Sequence, residues 1–195
     1  MRIDQILAGY ADGDAISMEA RILQDLLRGR GIESEIYVDP LHVSDPMRPL
    51  SKPLEAYASR PGDVVIHHYS IDSPALTPFL SSTAHKLIIY HNITPGEYFT
   101  GFDDGVAALL YRARQRLSEI LPHVDGAWGD SQFNTDELRE MGAPRAAVFP
   151  LLFDHSAFDL PPSPSVMQTF AGPMKNILYV GRIAPNKRVE ELIFE

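Results

Sequence analysis

Short apolar runs alternate along this chain with longer segments whose apolar residues recur every three or four positions. The short runs have the length and composition of buried strands. Six of them predict strands at Ile3–Ala8, Ser34–Val38, Asp63–His68, His85–His91, Ala127–Gly129 and Ala146–Phe149. Because helical segments separate most of these strands, we predict an α/β fold with a Rossmann-like, doubly wound parallel sheet.

Four helices are predicted between the strands. Asp14 is the predicted N-cap of the first helix. The apolar face of that helix is predicted to consist of Ile16, Ala20, Leu23, Leu26 and Leu27. Ser73 and Pro74 are expected to open a short second helix, and the longest helix spans about 103–121. The segment 134–137 has the spacing of a capping box and predicts the start of the fourth helix.

The composition changes after residue 150. Five prolines lie at positions 150, 161, 162, 164 and 173, and the apolar periodicity is lost. Such a segment is typical of a linker rather than of a packed core. We therefore predict a Rossmann-like domain over residues 1–150, a proline-rich linker over 151–173 and the start of a second domain over 174–195.

The overall composition is that of an ordinary globular protein, with 45% hydrophobic residues. The formal net charge of −9 argues against a general nucleic-acid binder, which needs a basic surface. The absence of cysteine excludes disulfides, zinc–thiolate sites and a cysteine nucleophile. The sequence shows neither a signal peptide nor an apolar stretch of transmembrane length, so we predict a cytoplasmic protein.

The segment Asn176–Glu195 predicts a strand, a tight turn and the start of a helix. Ile177–Val180 is an apolar run of strand length, and Asn186 is a candidate N-cap for the helix. A helix N-terminus offers free backbone N–H groups and the positive end of a dipole. Arg182 and Lys187 beside it would then grip a phosphate or diphosphate. Two solvated surface cations are the equally weighted alternative.

His91 closes an apolar strand at the sheet edge where open α/β folds bind ligands. A neutral imidazole there can hydrogen-bond a sugar hydroxyl or move a proton. By position alone, a histidine bonded to neighbouring backbone is the slightly favoured interpretation. His67 and His68 point to opposite faces if their strand continues through them. They therefore cannot both serve one site, and one of them is predicted to be structural.

The loop Gly9–Asp14 also meets this edge but lacks the G-x-G-x-x-G spacing of a dinucleotide fingerprint. Asp12 and Asp14 offer two carboxylates to a metal ion. No further ligand lies nearby in the sequence, and Asp14 has a capping role. We therefore predict no metal site.

A basic cluster lies on the long helix, where Arg112 and Arg116 share one face. Contact with anionic lipid head groups is one interpretation of this cluster. A solvated helix face is the other, and it is favoured.

The segment LYVGRIAPNKRVEELI resembles the start of the second domain of retaining glycosyltransferases of family 4, the group 1 type. Its G-R-x-x-P-x-K motif is the most specific part of the likeness. Three further stretches resemble the amino-terminal domain of that family: IIYHNITP, GDSQFNTDELREMG and VFPLLFD. The resemblance covers the whole chain. It implies the B-type glycosyltransferase architecture, in which two Rossmann-like domains face each other.

By this resemblance, Arg182 and Lys187 hold the diphosphate of a nucleotide-diphosphate sugar donor and stabilise charge on the leaving group. His91 matches the family's active-site histidine, which contacts the donor sugar near the reacting carbon. The loop around Gly13 and Asp14 matches the family's glycine-rich loop, which faces the diphosphate and the acceptor.

The resemblance also implies that Asn92 and Thr94 line the acceptor side. The implied reaction transfers a sugar to an acceptor with retention of configuration and needs no cofactor. The acceptor class stays open between a saccharide, a lipid-linked molecule and a small molecule. The family's carboxylate motif, which binds the sugar and ribose of the donor, is absent from the chain. We therefore expect a truncated piece of a longer enzyme, inactive alone and weak in donor binding.

Two other functions remain open. A sugar-nucleotide epimerase shares the two-domain architecture, and a catalytic carboxylate pair in the first domain would favour it. No well-placed pair is recognisable in the sequence. A non-catalytic, flavodoxin-like binding domain would leave Arg182 and Lys187 as surface charges.

Overall fold

The larger part of the molecule is built around one seven-stranded parallel sheet. The computed structural model describes residues 1–194, and the chain divides into two compact units, Met1–Phe153 and Asp154–Glu195. The strands are β1 Ile3–Leu7, β2 Ile36–Val38, β3 Lys52–Pro53, β4 Val64–Tyr69, β5 His85–Tyr90, β6 Gly126–Gly129 and β7 Ala147–Val148. Their order across the sheet is β3-β2-β1-β4-β5-β6-β7, and every pairing is parallel. The predicted Rossmann-like α/β class is confirmed.

Helices connect most of these strands. The α-helices of residues 1–194 are α1 Ala15–Gly29, α2 Leu76–Leu80, α3 Asp104–Ile120, α4 Gln132–Glu140, α5 Pro164–Thr169 and α6 Glu191–Phe194. Helix α1 joins β1 to β2, and α2, α3 and α4 join the successive strands from β4 to β7. None of the helices in residues 1–194 combines the length and the apolar character that a membrane span requires.

The direction of winding reverses next to β1. The chain places β2 and β3 on one side of β1 and then crosses to the other side for β4 and the strands that follow. The connections after β1 and β4 therefore leave in opposite directions and open a crevice at the carboxyl ends of these two strands. In open α/β sheets this switch point is where ligands bind.

The two faces of the sheet bury side chains of different polarity. One face carries an apolar core that joins β4 and β5 to α2 and α3, with members that include Tyr69, Phe79, Ile88, Leu110 and Leu117. Helix α1 covers β1 and β2 on the other face, and its fully buried residues are Ser17, Glu19, Ala20 and Gln24. The predicted apolar face of α1 is therefore wrong in part, since Leu26 is 44% exposed. The reason is that this face of the sheet presents polar side chains for α1 to meet.

Polar bonds hold α1 on the sheet. The side-chain amide of Gln5 in β1 donates to the carbonyl oxygen of Ala20 over 2.8 Å, and that of Gln24 donates to Ser34 over 3.0 Å. The predicted N-cap of α1 is confirmed, because Asp14 accepts a hydrogen bond from the backbone N–H of Ser17 over 2.9 Å. These bonds fix where the first turns of α1 lie over the sheet.

Two other helix starts differ from the prediction. Helix α4 is capped by Ser131, whose hydroxyl accepts from the N–H of Asn134 over 3.1 Å, so the helix begins before the predicted capping box. The short helix α2 begins at Leu76, because Ser73 and Pro74 form a turn that precedes it. Both shifts arise from a competing short polar side chain or turn just upstream.

The smaller unit lacks the predicted strand. Residues 177–180 form no strand, and the side chains of Ile177, Leu178 and Val180 are 84–90% exposed. A strand needs a neighbour for its backbone N–H and C=O groups, and residues 154–194 contain no second strand. Asn186 lies in a short 3₁₀ turn and does not cap a helix, because α6 begins only at Glu191. The linker and the start of a second domain stay a prediction.

Candidate active site

An open cleft of about 390 Å³ lies at the switch point between β1 and β4. The loop that follows β1, the start of α1 and the residues that follow β4 line it, among them Gly9, Tyr10, Asp14, Ser70 and Ile71. His68, near the end of β4, also lines this cleft. Its size is that of a small-molecule site.

His68 is bonded to His91, which follows β5. Nδ1 of His68 and Nε2 of His91 are 2.9 Å apart. The ring planes differ by only 3°, and the ring centroids are 5.2 Å apart. The centroid separation exceeds the nitrogen separation by about two ring radii, so the two rings lie end to end in one plane. The two nitrogens therefore point directly at each other across a hydrogen bond.

Two carboxylates flank His91. Oε2 of Glu19 lies 3.5 Å from Nε2 of His91 and 3.8 Å from Nδ1 of His68. Oδ2 of Asp130 lies 3.7 Å from Nδ1 of His91 on the other side of the ring. Glu19 is completely buried, and its second oxygen accepts a hydrogen bond from the N–H of Leu152 over 3.1 Å. One imidazole thus sits between two acidic groups, and a positive charge on it would be compensated on both sides.

Burial sets the protonation of this cluster. Loss of solvation raises the pKa of Glu19, while His91 and the N–H of Leu152 act to lower it. Burial, helped by the neighbouring His91, holds the pKa of His68 well below its ordinary value. His68 is therefore a neutral imidazole at physiological pH, and Glu19 keeps a proton to higher pH than a surface glutamate does.

Hydrogen bonds to neighbouring elements anchor the backbone around His91. The N–H of His91 donates to the carbonyl of Tyr69 over 3.0 Å, which continues the β4–β5 ladder by one residue. The Tyr90 hydroxyl accepts from the N–H of Ile93 over 3.1 Å and donates to Glu137 over 2.6 Å. Arg114 donates to the carbonyl of Ile93 and forms an ion pair with Glu137. The loop that carries His91 is thus tied to α3 and α4.

The structure brings part of the predicted site together. His91 and Asp14 lie at the same edge of the sheet, through the contact of His91 with the cleft-lining His68. Gly13 is exposed in the turn before α1 with a φ of +74°, a left-handed conformation that suits glycine. Asn92 is exposed, also has a positive φ, and directly follows His91, with Thr94 two residues further on.

Arg182 and Lys187 belong to the smaller unit. Both side chains are exposed, and neither forms an ion pair with another residue in the range 1–194. The strand and the helix N-terminus that were expected beside them are not formed there. Their role as a diphosphate grip stays a prediction.

The basic cluster of α3 has less unpaired positive charge than its sequence indicates. Arg114 turns inward to Glu137, and Arg116 forms an ion pair with Glu119 over 2.9 Å. Arg112 is exposed. Peripheral membrane contact through Arg112 and Arg116 stays a prediction, with part of its positive charge already neutralised.

Sequence reasoning missed the partners of His91. Glu19 lies in α1, His68 in β4 and Asp130 directly after β6, while Gln5 in β1 bonds to His68; their meeting depends on strand order, which the sequence does not state. One signal was available: Glu19 lies three residues after Ile16 and four before Leu23, on the apolar stripe of α1. A carboxylate on a core-facing stripe indicates a buried partner. The prediction that only one of His67 and His68 serves a site agrees with their opposite contacts.

A metal ion is an alternative use of this cluster. One ligand atom from each of Glu19, His68 and His91 lies within 4.8 Å of the other two, and carboxylate and imidazole ligands suit zinc. The end-to-end rings, however, aim their nitrogens at each other and not at a common point between them. A metal held by both rings would require them to turn. The arrangement fits a hydrogen-bonded chain better than a metal centre.

Comparisons with known proteins support the fold. No protein-family model matches this chain, and no curated protein matches it. A solved structure of an alpha-glucosyltransferase (AGT) in complex with UDP is similar to it, with a TM-score of 0.51 and 13% sequence identity. The likeness covers 79% of this chain and 45% of the other, so this chain spans less than half the length of that protein. At this identity the likeness supports the fold: a Rossmann-like sheet of the type found in a glycosyltransferase.

Proposed function

We propose that the larger unit is the acceptor-side domain of a retaining glycosyltransferase of family 4, which uses a nucleotide-diphosphate sugar. One observation carries this proposal: the buried ring of His91, at the carboxyl end of β5, contacts the cleft-lining His68 and lies between two carboxylates. The family's active-site histidine is expected at this position. The fold likeness to a glucosyltransferase in complex with UDP supports the proposal and makes UDP the first nucleotide to test.

The proposed chemistry separates two charges. Departure of the diphosphate leaves negative charge on the leaving group, for which Arg182 and Lys187 are the proposed partners. Positive charge develops at the reacting carbon of the sugar as the bond breaks. Glu19 and Asp130, on either side of His91, would keep the surroundings of that carbon negative. Gly13, Asp14, Asn92 and Thr94 are proposed to line the acceptor side.

The proposed diphosphate grip has a matched control in the same segment. We would measure nucleotide release from a panel of nucleotide-sugar donors by a protein in which this chain continues into a complete second domain. Arg182→Ala and Lys187→Ala are each expected to lower the rate about 100-fold, the effect of removing one group that stabilises a developing anion. Arg188→Ala is the control, because Arg188 forms an ion pair with Glu191. Rates that none of the three substitutions changes would contradict the proposal.

The 195-residue chain itself is expected to bind donors weakly. The main contacts to the nucleotide are proposed to lie in a second domain, of which residues 174–195 are proposed to be the start. Titration calorimetry with UDP and UDP-sugars checks this expectation. Micromolar affinity for the 195-residue chain would contradict it.

An epimerase is the second candidate because of a specific observation. Glu19 and Asp130 bring two carboxylates to either side of His91, and such a pair in the first domain is the feature expected of a sugar-nucleotide epimerase. Product analysis separates the two functions. A transferase yields a free nucleotide and a glycosylated acceptor, whereas an epimerase returns the donor with one inverted carbon.

A further inference from the structure

The orientation of the Gln5 amide can be assigned from its two partners. Its nitrogen lies 2.8 Å from the carbonyl oxygen of Ala20, which can only accept a hydrogen bond. The amide oxygen therefore faces Nε2 of His68, 2.8 Å away. An amide oxygen accepts and cannot donate, so Nε2 of His68 must carry a proton.

The proton on His68 determines the next bond of the chain. His68 is neutral because burial lowers its pKa, so its Nδ1 has a free lone pair. That lone pair points at Nε2 of His91 over 2.9 Å. A hydrogen bond there requires the proton to sit on Nε2 of His91. Carboxylates lie near both ring nitrogens of His91, Glu19 3.5 Å from Nε2 and Asp130 3.7 Å from Nδ1, so the bond to His68 is what selects Nε2.

We propose that Gln5 and His68 are positioning residues that fix the proton of His91 on Nε2 and leave Nδ1 as its exchangeable ring nitrogen. Nδ1 is buried and has no hydrogen-bond partner within residues 1–194, and Asp130 lies 3.7 Å from it. The consequence of this proton arrangement for sugar transfer rests on the proposed function.

The neighbouring His67 provides an internal contrast. Its Nδ1 lies 2.9 Å from the carbonyl oxygen of Ile6, so its Nδ1 carries the proton. Its Nε2 is buried without a partner in the described part of the chain. Burial lowers the pKa of His67 to about 4, so this ring is also neutral at physiological pH. Two consecutive histidines are therefore assigned opposite tautomers by their surroundings alone.

Nitrogen NMR of the 195-residue chain tests the assignment directly. Two-bond proton–nitrogen correlation spectra of the histidine rings at neutral pH distinguish a protonated ring nitrogen from an unprotonated one. We expect His68 to be protonated at Nε2 only, His67 at Nδ1 only, and His91 at Nε2. A proton on Nδ1 of His68, or an unprotonated Nε2 on His91, would overturn the proposal.

Gln5→Leu tests the cause of this pattern. The substitution removes the acceptor for Nε2 of His68, and we expect its spectrum to show a mixture of His68 tautomers and a shifted Nε2 signal of His91. The His67 signals serve as the control for folding, because that ring bonds to backbone on the opposite face. An unchanged His68 and His91 pattern would show that Gln5 does not set it. If Gln5→Leu does not fold, the spectrum of the unsubstituted chain still decides the tautomers.

The test is independent of the proposed function. Neither spectrum uses a donor or an acceptor. A protein that fails to transfer sugar would leave the proton assignment intact, and a different proton pattern would leave sugar transfer open.

Discussion

His67 and His68 are consecutive residues of β4, both fully buried, and they face two different regions of the molecule. The ring of His67 lies 5.2 Å from that of Phe79 and 5.8 Å from that of Tyr69, in the apolar core under α2 and α3. His68 lies on the α1 face in a chain of polar groups with Gln5 and His91. Burial is the same for both, and only the partners differ.

The comparison shows that a buried titratable group does not by itself indicate a site. His67 satisfies one nitrogen with backbone and leaves the other unpaired among aromatic rings. His68 lines the cleft, and its two ring nitrogens contact Gln5 in β1 and His91, which follows β5. On the apolar face, His67 is therefore part of the packed core. On the α1 face, His68 is part of a hydrogen-bonded chain that determines which ring nitrogens carry protons.

The largest predicted effect concerns the acid stability of the apolar face. Folding lowers the pKa of His67 to about 4, so the unfolded chain takes up this proton first as the pH falls. Stability that is present above the unfolded pKa of about 6.5 is therefore lost between that pH and about 4, to the extent of about 3 kcal/mol. Chemical denaturation of the parent chain and of His67→Leu across this range measures the contribution. We expect the variant to lose less stability on acidification.

His68 titrates in the same direction in both proteins, so the difference in slope between them isolates His67. Parallel curves for the parent and His67→Leu would contradict the lowered pKa of His67 in the folded state.

Glu19, on the α1 face, is predicted to change the stability in the opposite direction with pH. Burial raises the pKa of Glu19, so the folded state holds this proton more tightly than the unfolded chain does. That stability is present at low pH and is lost as the pH rises through the folded pKa. We expect Glu19→Gln to gain between about 1 and 3 kcal/mol relative to the parent at high pH, because it removes the negative charge that burial disfavours there.

Denaturation midpoints from pH 4 to pH 8 would show this gain as a rising difference between the two proteins. A constant loss of several kcal/mol at every pH would contradict the prediction. It would mean that the contact between Glu19 and His91 holds the fold together.

The smallest predicted effect on stability concerns the backbone of the loop that follows His91. Asn92 is exposed and has a φ of +60°, a conformation that asparagine tolerates better than alanine does. We expect Asn92→Ala to lower the free energy of unfolding by about 1 kcal/mol, and Asn92→Gly to leave it nearly unchanged. Thermal unfolding of the two variants measures the difference. An equal loss in both would point to a side-chain contact of Asn92 and not to its backbone.

The sequence predicted the sheet because its signal is local. Apolar runs such as those of β4 and β5 and the stripe of α3 carry their own evidence of burial and period. The same local signal failed at Ile177–Val180, because residues 154–194 contain no strand with which this apolar run could pair. It also failed at Leu26, because α1 packs on polar groups that lie elsewhere in the sequence.

Two predicted residues, His91 and Asp14, lie at the same edge of the sheet in the structure. A histidine at the carboxyl end of an apolar strand and an N-cap before a helix are each visible in one stretch of sequence. The partners of His91 come from β4, from α1 and from the residue after β6, and their convergence depends on the order of strands in the sheet. The positions of the ring protons depend on which acceptor lies opposite each nitrogen, and the sequence does not show these contacts.

The most direct test of the account is the rate of nucleotide release from a sugar donor by His91→Ala, in a protein where this chain continues into a complete second domain. The matched control is His85→Ala, because the His85 side chain is 65% exposed at the opposite end of β5. We predict that His91→Ala lowers kcat by at least about 100-fold, the lower end of the contribution of a group that moves a proton in the reaction. His85→Ala should leave it unchanged. A full rate in His91→Ala would contradict the central claim that this buried histidine belongs to the active site.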